Sequence, residues 1–307
     1  MNRRNWIART GATMVAGATA ATLPAAQAAA PRSASRGPLA RMAVEAVQMP
    51  AWTGTDDARE PLAPGDAVSR SQEVHTAAGA ALVLRMPEGS IIRLGEKTLL
   101  SVQRLEVDTA TGRTAVRSQL KLLEGFFRFA TSSVAKAAGA REIEVSLRTA
   151  TVGIRGTDFW SMTDAAHDAV CIFEGKVAVA SQDQGELSLD KPTAFWARFF
   201  EKPVQPVGNA TPDQLATFLN STEIKPGGGV AITDGAWRVV ALRTANSREA
   251  LQVAGRLRAA GYPARLRGAG TGSSLVVIEQ LATQEDAQFV LERIASVQGV
   301  QGTVSRA

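Results

Sequence analysis

Two glycines three residues apart interrupt a strand-like run near the middle of the chain, and they constrain the fold more than any other feature. Val152 and Ile154 lie on one side of a period-2 element and Arg155 lies on the other. Gly156 then permits a bulge or a positive φ that a side chain would oppose. The predicted structural motif consists of Gly153, Arg155, Gly156 and Thr157.

The segment that holds this motif, residues 149–160, resembles the hallmark of the FecR-like family of bacterial envelope proteins. The resemblance extends backwards through residues 64–68, 82–85 and 89–95 and forwards through residues 173–179. It covers roughly half of the chain. It implies a β domain that contacts proteins or senses a ligand. FecR regulators signal through a membrane span to a cytoplasmic sigma factor, and we expect neither a span nor a cytoplasmic part in this chain.

A Glu-Gly pair occurs three times between two β-type runs, at residues 88–89, 124–125 and 174–175. Glycine supplies the positive φ that tight hairpin turns need, so we predict three hairpins. Turn tips are usually solvated, which favours exposed glutamates over a carboxylate site. The fold prediction for residues 43–205 is a mainly β sandwich or roll.

Residues 1–28 have the features of an export signal. Arg3 and Arg4 precede a small-residue apolar run, and Ala26 to Ala28 have the form of a signal-peptidase site. The arginine pair predicts the twin-arginine route, with an ordinary secretory signal as the alternative. We therefore expect a mature, soluble periplasmic protein, with residues 29–42 as a flexible segment.

Charge and cysteine content limit the function. The chain has 34 Lys and Arg and 29 Asp and Glu, and three of its arginines lie in the predicted signal. The mature chain is thus nearly neutral, which argues against nucleic-acid binding. Cys171 is the only cysteine, and its apolar neighbours predict a buried, inert thiol. An intermolecular disulfide is the alternative.

An enzyme is the less economical interpretation. His75 and His167 are the only histidines, and neither has a metal-ligand spacing. Asp164 and Asp168 flank His167, but Ala165 and Ala166 indicate a surface turn. We predict no catalytic residue, no metal and no cofactor.

The pattern changes after residue 194. Four aromatic residues lie within six positions, and we expect them to close the β core. Thr211 and Pro212 predict a short helix from Pro212 to Asn220, and the glycines of residues 225–229 predict a linker. Residues 206–234 are thus predicted as a linker with a short helix. The four aromatic residues are Phe195, Trp196, Phe199 and Phe200.

Residues 235–307 alternate between strand and helix periods. The pattern predicts strands at 237–242, 262–267, 274–279 and 300–304, with a helix at 246–260 and another after Thr283. Asn246 and Glu249 stand in capping-box register, and Gly261 ends the first helix. The order β-α-β-β-α-β is that of an α+β ferredoxin-like sandwich with both helices on one side.

This region, especially residues 254–264, resembles the sporulation-related repeat, or SPOR domain. The resemblance implies binding to peptidoglycan whose glycan strands have lost their stem peptides, through the sheet face without helices. The first strand departs from the family, which places a glutamine and a Gly-Ser-Phe group where this chain has Val240, Leu242, Arg243 and Thr244. The third strand also departs, with Leu275 and Val277 in place of an arginine-rich pattern.

Strand parity predicts what the open face carries. If Trp237, Val239 and Ala241 face the helices, the alternate residues face outward. The predicted face has an apolar middle edged by Arg265, Arg267, Gln301 and Thr303. Such an arrangement is typical of a protein interface, whereas saccharides need polar partners. Burial of the face under the linker or the β domain is a third possibility. The predicted glycan- or partner-binding residues are Arg238, Val240, Leu242, Arg265, Arg267, Leu275 and Val277.

The sequence thus predicts a non-enzymatic envelope protein of two binding modules. Peptidoglycan glycan strands are the expected partner of residues 235–307, and envelope proteins are possible partners of both modules. The alternative is a periplasmic regulatory scaffold whose open sheet face binds protein instead of glycan.

Overall fold

Alternating apolar and polar residues form strands through most of this chain. The structure is a computed structural model, and it describes residues 40–109, 114–137, 141–154, 156–270 and 272–307. The predicted signal peptide and Arg155 lie outside the described residues. In the part of the chain that is described, no helix is both long and apolar enough to cross a membrane.

The secondary structure is mainly β, and three of the four described helices follow residue 211. The strands are β1 (Arg41–Gln48), β2 (Ala51–Thr53), β3 (Glu60–Pro61), β4 (Ala67–Ser69), β5 (Glu73–Thr76), β6 (Ala81–Arg85), β7 (Ile91–Leu94), β8 (Leu99–Asp108), β9 (Ala115–Ala130), β10 (Arg141–Ser146), β11 (Ala150–Ile154), β12 (Asp158–Thr163), β13 (His167–Glu174), β14 (Val177–Ser181), β15 (Gly185–Leu189), β16 (Ala194–Phe199), β17 (Gly208–Asn209), β18 (Val230–Ile232), β19 (Trp237–Thr244), β20 (Arg265–Gly268), β21 (Ser274–Leu281) and β22 (Thr303–Arg306). The helices are α1 (Ser133–Ala137), α2 (Pro212–Asn220), α3 (Ser247–Ala259) and α4 (Gln284–Ile294).

Two sheets form the β sandwich that occupies the first two thirds of the described chain. Sheet A has the order β1-β6-β7-β9-β12-β13-β16-β17. On the other edge of β1, β4 pairs with the first part of that strand and β18 with the last part. Sheet B has the order β3-β2-β5-β8-β9-β10-β11-β14-β15. The β9–β10 pair is parallel and the other described pairs are antiparallel. Strand β9 belongs to both sheets, its first half to B and its second half to A.

The two inner faces share one apolar core. Leu82, Phe127 and Ile172 from sheet A pack with Leu120 and Val179 from sheet B, and all five are fully buried. In β9 the even-numbered residues face this core before Gly125 and the odd-numbered residues face it afterwards. One extra residue at Gly125 therefore reverses the inward side of the strand as it changes sheet.

Gly125 marks the corner at which β9 passes from sheet B to sheet A. Its φ is +94°. A Cβ there would lie 2.5 Å from Thr98 Cα and 2.8 Å from the Lys97 carbonyl oxygen, so no larger residue fits without movement. The Phe126 amide donates to Thr98 Oγ1 at 3.0 Å across the same corner. Glycine and threonine together hold the bend.

Gly175 marks a second corner of the same design. The β11–β14 pair lies in sheet B and the β12–β13 pair lies in sheet A, so two adjacent strands cross between the sheets together. Gly175 has a φ of +86°. A Cβ on it would lie 2.5 Å from the Gly156 carbonyl oxygen. The Thr157 hydroxyl donates to the Glu174 carbonyl oxygen, as Thr98 bonds the backbone at the first corner.

These corners correct two of the three predicted hairpins. The pair at residues 88–89 does join two neighbouring antiparallel strands, β6 and β7. The pair at 124–125 lies inside the continuous strand β9, and the pair at 174–175 joins strands of different sheets. A hairpin turn and a strand corner both need a glycine with a positive φ, so the Glu-Gly pattern fits either. At these two positions the glycine bends the chain from one sheet to the other and does not reverse it. The prediction of solvated glutamates is wrong for Glu88, which is 3% exposed.

Helix α2 lies on the outer face of sheet A and has the predicted bounds. Thr211 caps it through the Gln214 amide, Gln214 bonds back to the Thr211 amide, and Pro212 occupies its first turn. The Phe218 ring stacks on Trp160 with centroids 4.0 Å apart. Trp160 Nε1 also donates to Ser221 Oγ at 2.9 Å, which fixes the end of the helix on the sheet.

The segment at residues 221–234, which includes the predicted linker, is held at several points. Glu223 accepts hydrogen bonds from Arg93 at 3.2 Å and from Arg128 at 2.9 Å. The Gly229 and Val230 amides donate to the buried carboxylate of Asp286 at 3.1 and 2.9 Å. Strand β18 then pairs with β1 on one side and at one position with β21 on the other. The sheet is therefore continuous from the sandwich into the C-terminal strands.

The C-terminal unit, formed by β19–β22 with α3 and α4, has the predicted ferredoxin-like order. Its sheet runs β22-β19-β21-β20, all antiparallel, with the first and third strands in the centre. Helix α3 buries its predicted stripe, and Gly261 follows it with a φ of +87°. The capping box is half formed, because Glu249 accepts from the Thr244 hydroxyl and not from the Asn246 amide. The buried residues of the α3 stripe are Ala250, Val253, Ala254 and Leu257.

We predict that Gly175→Ala lowers the free energy of unfolding by about 1–3 kcal/mol, because it combines a positive φ with a backbone clash. Urea unfolding of the full chain measures the change. Gly153→Ala is the matched control, since a Cβ there meets nothing closer than 4.0 Å. Equal losses in the two variants would contradict the corner geometry.

Candidate functional site

The glycine motif in the middle of the chain has a structural role. Gly156 has a φ of +75°, which confirms the prediction of a positive φ. The Thr157 amide donates to Thr131 Oγ1 at 3.1 Å, while its hydroxyl bonds Glu174. Gly153 has neither a positive φ nor a close neighbour for a Cβ. These contacts place Gly156 and Thr157 at the second corner, and Arg155 is outside the described residues.

A depression of 520 Å³ lies beside Gly153 on the outer face of sheet B. Glu142 and Glu144 contribute the carboxylates of its lining. Arg117 pairs with Glu142 at 3.2 Å, and Gln119 donates to Glu144 at 3.3 Å. Both carboxylates therefore already accept hydrogen bonds, and Arg141 adds a cationic side chain to the lining.

The histidine and aspartates singled out in the sequence separate in the structure. Asp164 Oδ1 lies 3.1 Å from His167 Nδ1 at the surface. Asp168 points the other way and is buried, where it accepts from the Thr149 amide at 2.6 Å. Burial opposes ionisation of Asp164, but hydrogen bonds from the amides of Ala166 and His167 outweigh it and hold the pKa of Asp164 below its ordinary value. His167 and Asp164 thus form a pair at the surface, and their described contacts include no nucleophilic side chain.

The four aromatic residues near residue 196 divide between two sides of sheet A. Trp196 is fully buried in the sandwich core. Phe195 packs against α2, with its ring centroid 5.6 Å from that of Phe218, and Phe199 stacks on His167 at 4.8 Å. The prediction that all four close the β core is therefore right only for Trp196.

The open face of the C-terminal sheet differs from the predicted one at one position. The register between β19 and β21 shifts between Val240 and Leu242, so the strand bulges at Ala241. Leu242 therefore turns inward and is 3% exposed in the apolar core. Arg243 takes its place on the open face. The prediction that Leu242 faces outward assumed strict alternation along the strand. The sequence pattern does not indicate the bulge that interrupts this alternation.

A depression of 380 Å³ occupies the open face over β19, β21 and β22. Val240 and Leu275 give it an apolar floor. Arg238 is held there, with its Nε donating to Ser305 Oγ at 3.0 Å. Arg243 is exposed and has no ion-pair partner in the described part of the chain. The lining residues are Arg238, Val240, Arg243, Leu275, Gln301, Thr303 and Ser305.

The remaining predicted site residues lie on the same face outside the depression. Val277 is fully buried, and its β20 neighbour Arg265 comes within 3.9 Å of Asp66 in the sandwich. Arg267 pairs with Glu279 at 2.7 Å. The hydrogen bond from Arg267 to Glu279 raises the pKa of that guanidinium. These two arginines therefore already have acidic neighbours, unlike Arg243.

No cluster of three or more His, Cys, Asp or Glu side chains suited to a metal occurs among the described residues. Sequence reasoning missed Arg243 and Ser305 among the lining residues, whereas it had placed Gln301 and Thr303 at the edge of the open face. Spacing alone could have found Ser305, because it alternates with Thr303 along β22.

Comparison with known proteins supports a FecR domain in the sandwich. Residues 72–178 match the family model described as FecR protein. The match ends before the C-terminal unit, whose SPOR-like identity stays a prediction. No curated protein matches the chain in sequence.

Two crystal structures, each of an assumed anti-sigma factor from Parabacteroides distasonis ATCC 8503, resemble part of the fold. The first shares 18% identity over 48% of this chain and 64% of its own, with a TM-score of 0.37. The second shares 16% identity over 59% of this chain and 72% of its own, also with a TM-score of 0.37. This chain thus spans less than two thirds of the first, and likeness at this level carries no conclusion about function.

We predict that Cys171 does not react with an aromatic disulfide reagent at pH 8 in the folded protein. It is buried in β13, and burial raises the pKa of its thiol to about 12, so the reactive thiolate is absent. One equivalent should react after denaturation in urea. Rapid labelling of the folded chain, or a disulfide-linked dimer on a non-reducing gel, would contradict this.

Proposed function

We propose that this protein is a non-enzymatic component of the bacterial cell envelope that binds glycan strands of peptidoglycan lacking stem peptides. The binding surface is the open face of the C-terminal sheet. The observation that carries the proposal is the depression lined by Arg238 and Arg243 together with the apolar Val240 and Leu275. The resemblance of residues 254–264 to the SPOR domain and the ferredoxin-like strand order support the same surface.

The bulge at Ala241 makes the face more polar than its sequence indicated. Of the four apolar residues expected in its middle, Leu242 is turned inward and Val277 is fully buried. Val240 and Leu275 remain, and Leu275 is only 7% exposed. Protein interfaces usually bury a larger apolar centre, so the observed face fits a polar ligand better.

The chemistry of the lining suits a sugar chain. Arginine donates several hydrogen bonds, and hydroxyl and amide side chains both donate and accept. Sugar hydroxyls and acetyl carbonyls need such partners, while the apolar floor can contact the ring carbons. Gln301, Thr303 and Ser305 supply the hydroxyl and amide groups along one edge.

A second role belongs to the FecR-like sandwich, which we propose contacts another envelope protein or senses a ligand. Met162, Phe173 and Phe199 lie half-buried beside α2 on the outer face of sheet A. Partly exposed aromatic and methionine side chains are enriched where proteins meet. If the protein is instead a regulatory scaffold, we propose that this surface binds its protein partner.

The glycan proposal is tested by sedimentation of the mature chain with purified sacculi, with and without prior treatment by an amidase that removes stem peptides. We expect stronger retention on treated sacculi. Arg238→Ala should weaken retention by about tenfold, because a charged hydrogen-bond donor is lost. Arg248→Ala removes the same charge from α3, on the opposite side, and should leave retention unchanged. Equal retention on both kinds of sacculi would favour the protein-binding alternative.

We also propose export to the periplasm, where this ligand is found. The support is the sequence of residues 1–28, with its arginine pair and cleavage site. Replacing Arg3 and Arg4 by lysine should block export by the twin-arginine route, measured as loss of the processed chain from the periplasmic fraction. Undiminished export of the double variant would point to the ordinary secretory route.

A further inference from the structure

The bulge brings Arg243 to the open face. A neutral sugar has no charged group that could pair with its guanidinium. Hydroxyls and acetyl groups can be satisfied by Gln301, Thr303 and Ser305, whose side chains carry no charge. An arginine that is exposed and unpaired is a strong partner for a carboxylate, because its guanidinium forms charge-assisted bonds. Arg243 is therefore the residue of the depression that most clearly points to a charged group on the ligand.

The charges around the depression favour an anion. Residues 235–307 contain nine arginines and five acidic residues, a net charge of +4. On the open face, Glu279 is already paired with Arg267. Asp286 is buried against backbone amides at the base of α4. The other three acidic residues, Glu249, Glu285 and Glu292, lie on α3 and α4 on the helix side of the sheet. The field at Arg238 and Arg243 is therefore positive.

The bulge is what makes this arrangement possible. In β19 a strict alternation would place Arg243 on the helix side with Val239 and Ala241. The shift of register pairs Arg243 with Leu275, in the row of the sheet that also holds Arg267. The backbone amide of Gln301 donates to the Ala241 carbonyl oxygen at 2.9 Å, so the segment just before β22 bonds the bulged residue directly.

We propose that Arg243, which lines the same depression as Arg238, recognises a carboxylate carried by the glycan. This inference rests on the proposed function and names the feature of the glycan that is read. Hydrolysis of the amide bond between a muramic acid lactyl group and its stem peptide leaves a free carboxylate on the sugar. A strand without stem peptides thus carries one anionic group per muramic acid, which the peptide had blocked.

The experiment compares three kinds of sacculi with the mature chain: untreated, amidase-treated, and amidase-treated with the carboxylates then converted to methylamides. We expect wild-type retention to be highest on the amidase-treated sacculi and to fall at least about tenfold after methylamidation. Arg243→Ala should bind the last two equally weakly. Arg243→Lys should be intermediate, because the charge remains and the planar fork is lost.

Arg248→Ala provides the control for net charge, since Arg248 is exposed on α3 and lies on the helix side. It should behave as wild type on all three preparations. Circular dichroism and melting temperature establish that each variant folds.

The outcomes separate this inference from the proposed function. Retention on treated sacculi that survives methylamidation and Arg243→Ala would overturn carboxylate recognition while glycan binding stands. Equal losses in Arg243→Ala and Arg248→Ala would also overturn it, because the effect would then be one of overall charge. Failure of the wild type to bind any preparation would overturn the glycan proposal itself.

Discussion

The sandwich depends on two places where neighbouring segments of the chain pass together from one sheet to the other. At each, a glycine with positive φ lies against the backbone of a threonine on the neighbouring strand: Gly125 against Thr98, and Gly175 against Thr157. The missing side chain lets the strands approach, and the threonine hydroxyl bonds the bent backbone. The corners allow β9 to serve both sheets and the core to form between them. Gly156 and Thr157 of the middle segment belong to the second of these corners.

The same sheet also determines how the C-terminal unit is presented. Strand β18 pairs with β1 and meets β21, while the carboxylate of Asp286 holds the amides that precede it. On the other side of this junction, Gln48 accepts from the Lys225 amide at 2.7 Å and donates to the Gly79 carbonyl oxygen at 2.6 Å. The connection is therefore bonded along its length. The depression on β19, β21 and β22 still stays open, so neither the linker nor the sandwich covers the whole of this face.

The sequence predicted those elements whose local pattern is compatible with a single structure. A capping threonine with a following proline gave α2 its exact bounds, and the apolar stripe of α3 identified its buried side. It failed where one signal has two meanings. A Glu-Gly pair between β runs fits a hairpin and a strand corner equally, since both need only a positive φ, and the choice depends on partners distant in sequence. The bulge at Ala241 depends on pairing with β21 and β22, so neither the inward turn of Leu242 nor the outward turn of Arg243 could be read from alternation.

Binding of a carboxylate-bearing glycan at the depression of the open sheet face can be observed directly by NMR. The isotopically labelled chain is titrated with a disaccharide of N-acetylglucosamine and N-acetylmuramic acid. We expect the largest amide and guanidinium shifts on β19, β21 and β22 around Val240 and Arg243. Shifts confined to the outer face of sheet A near Phe173, or the absence of shifts at saturating disaccharide, would contradict it.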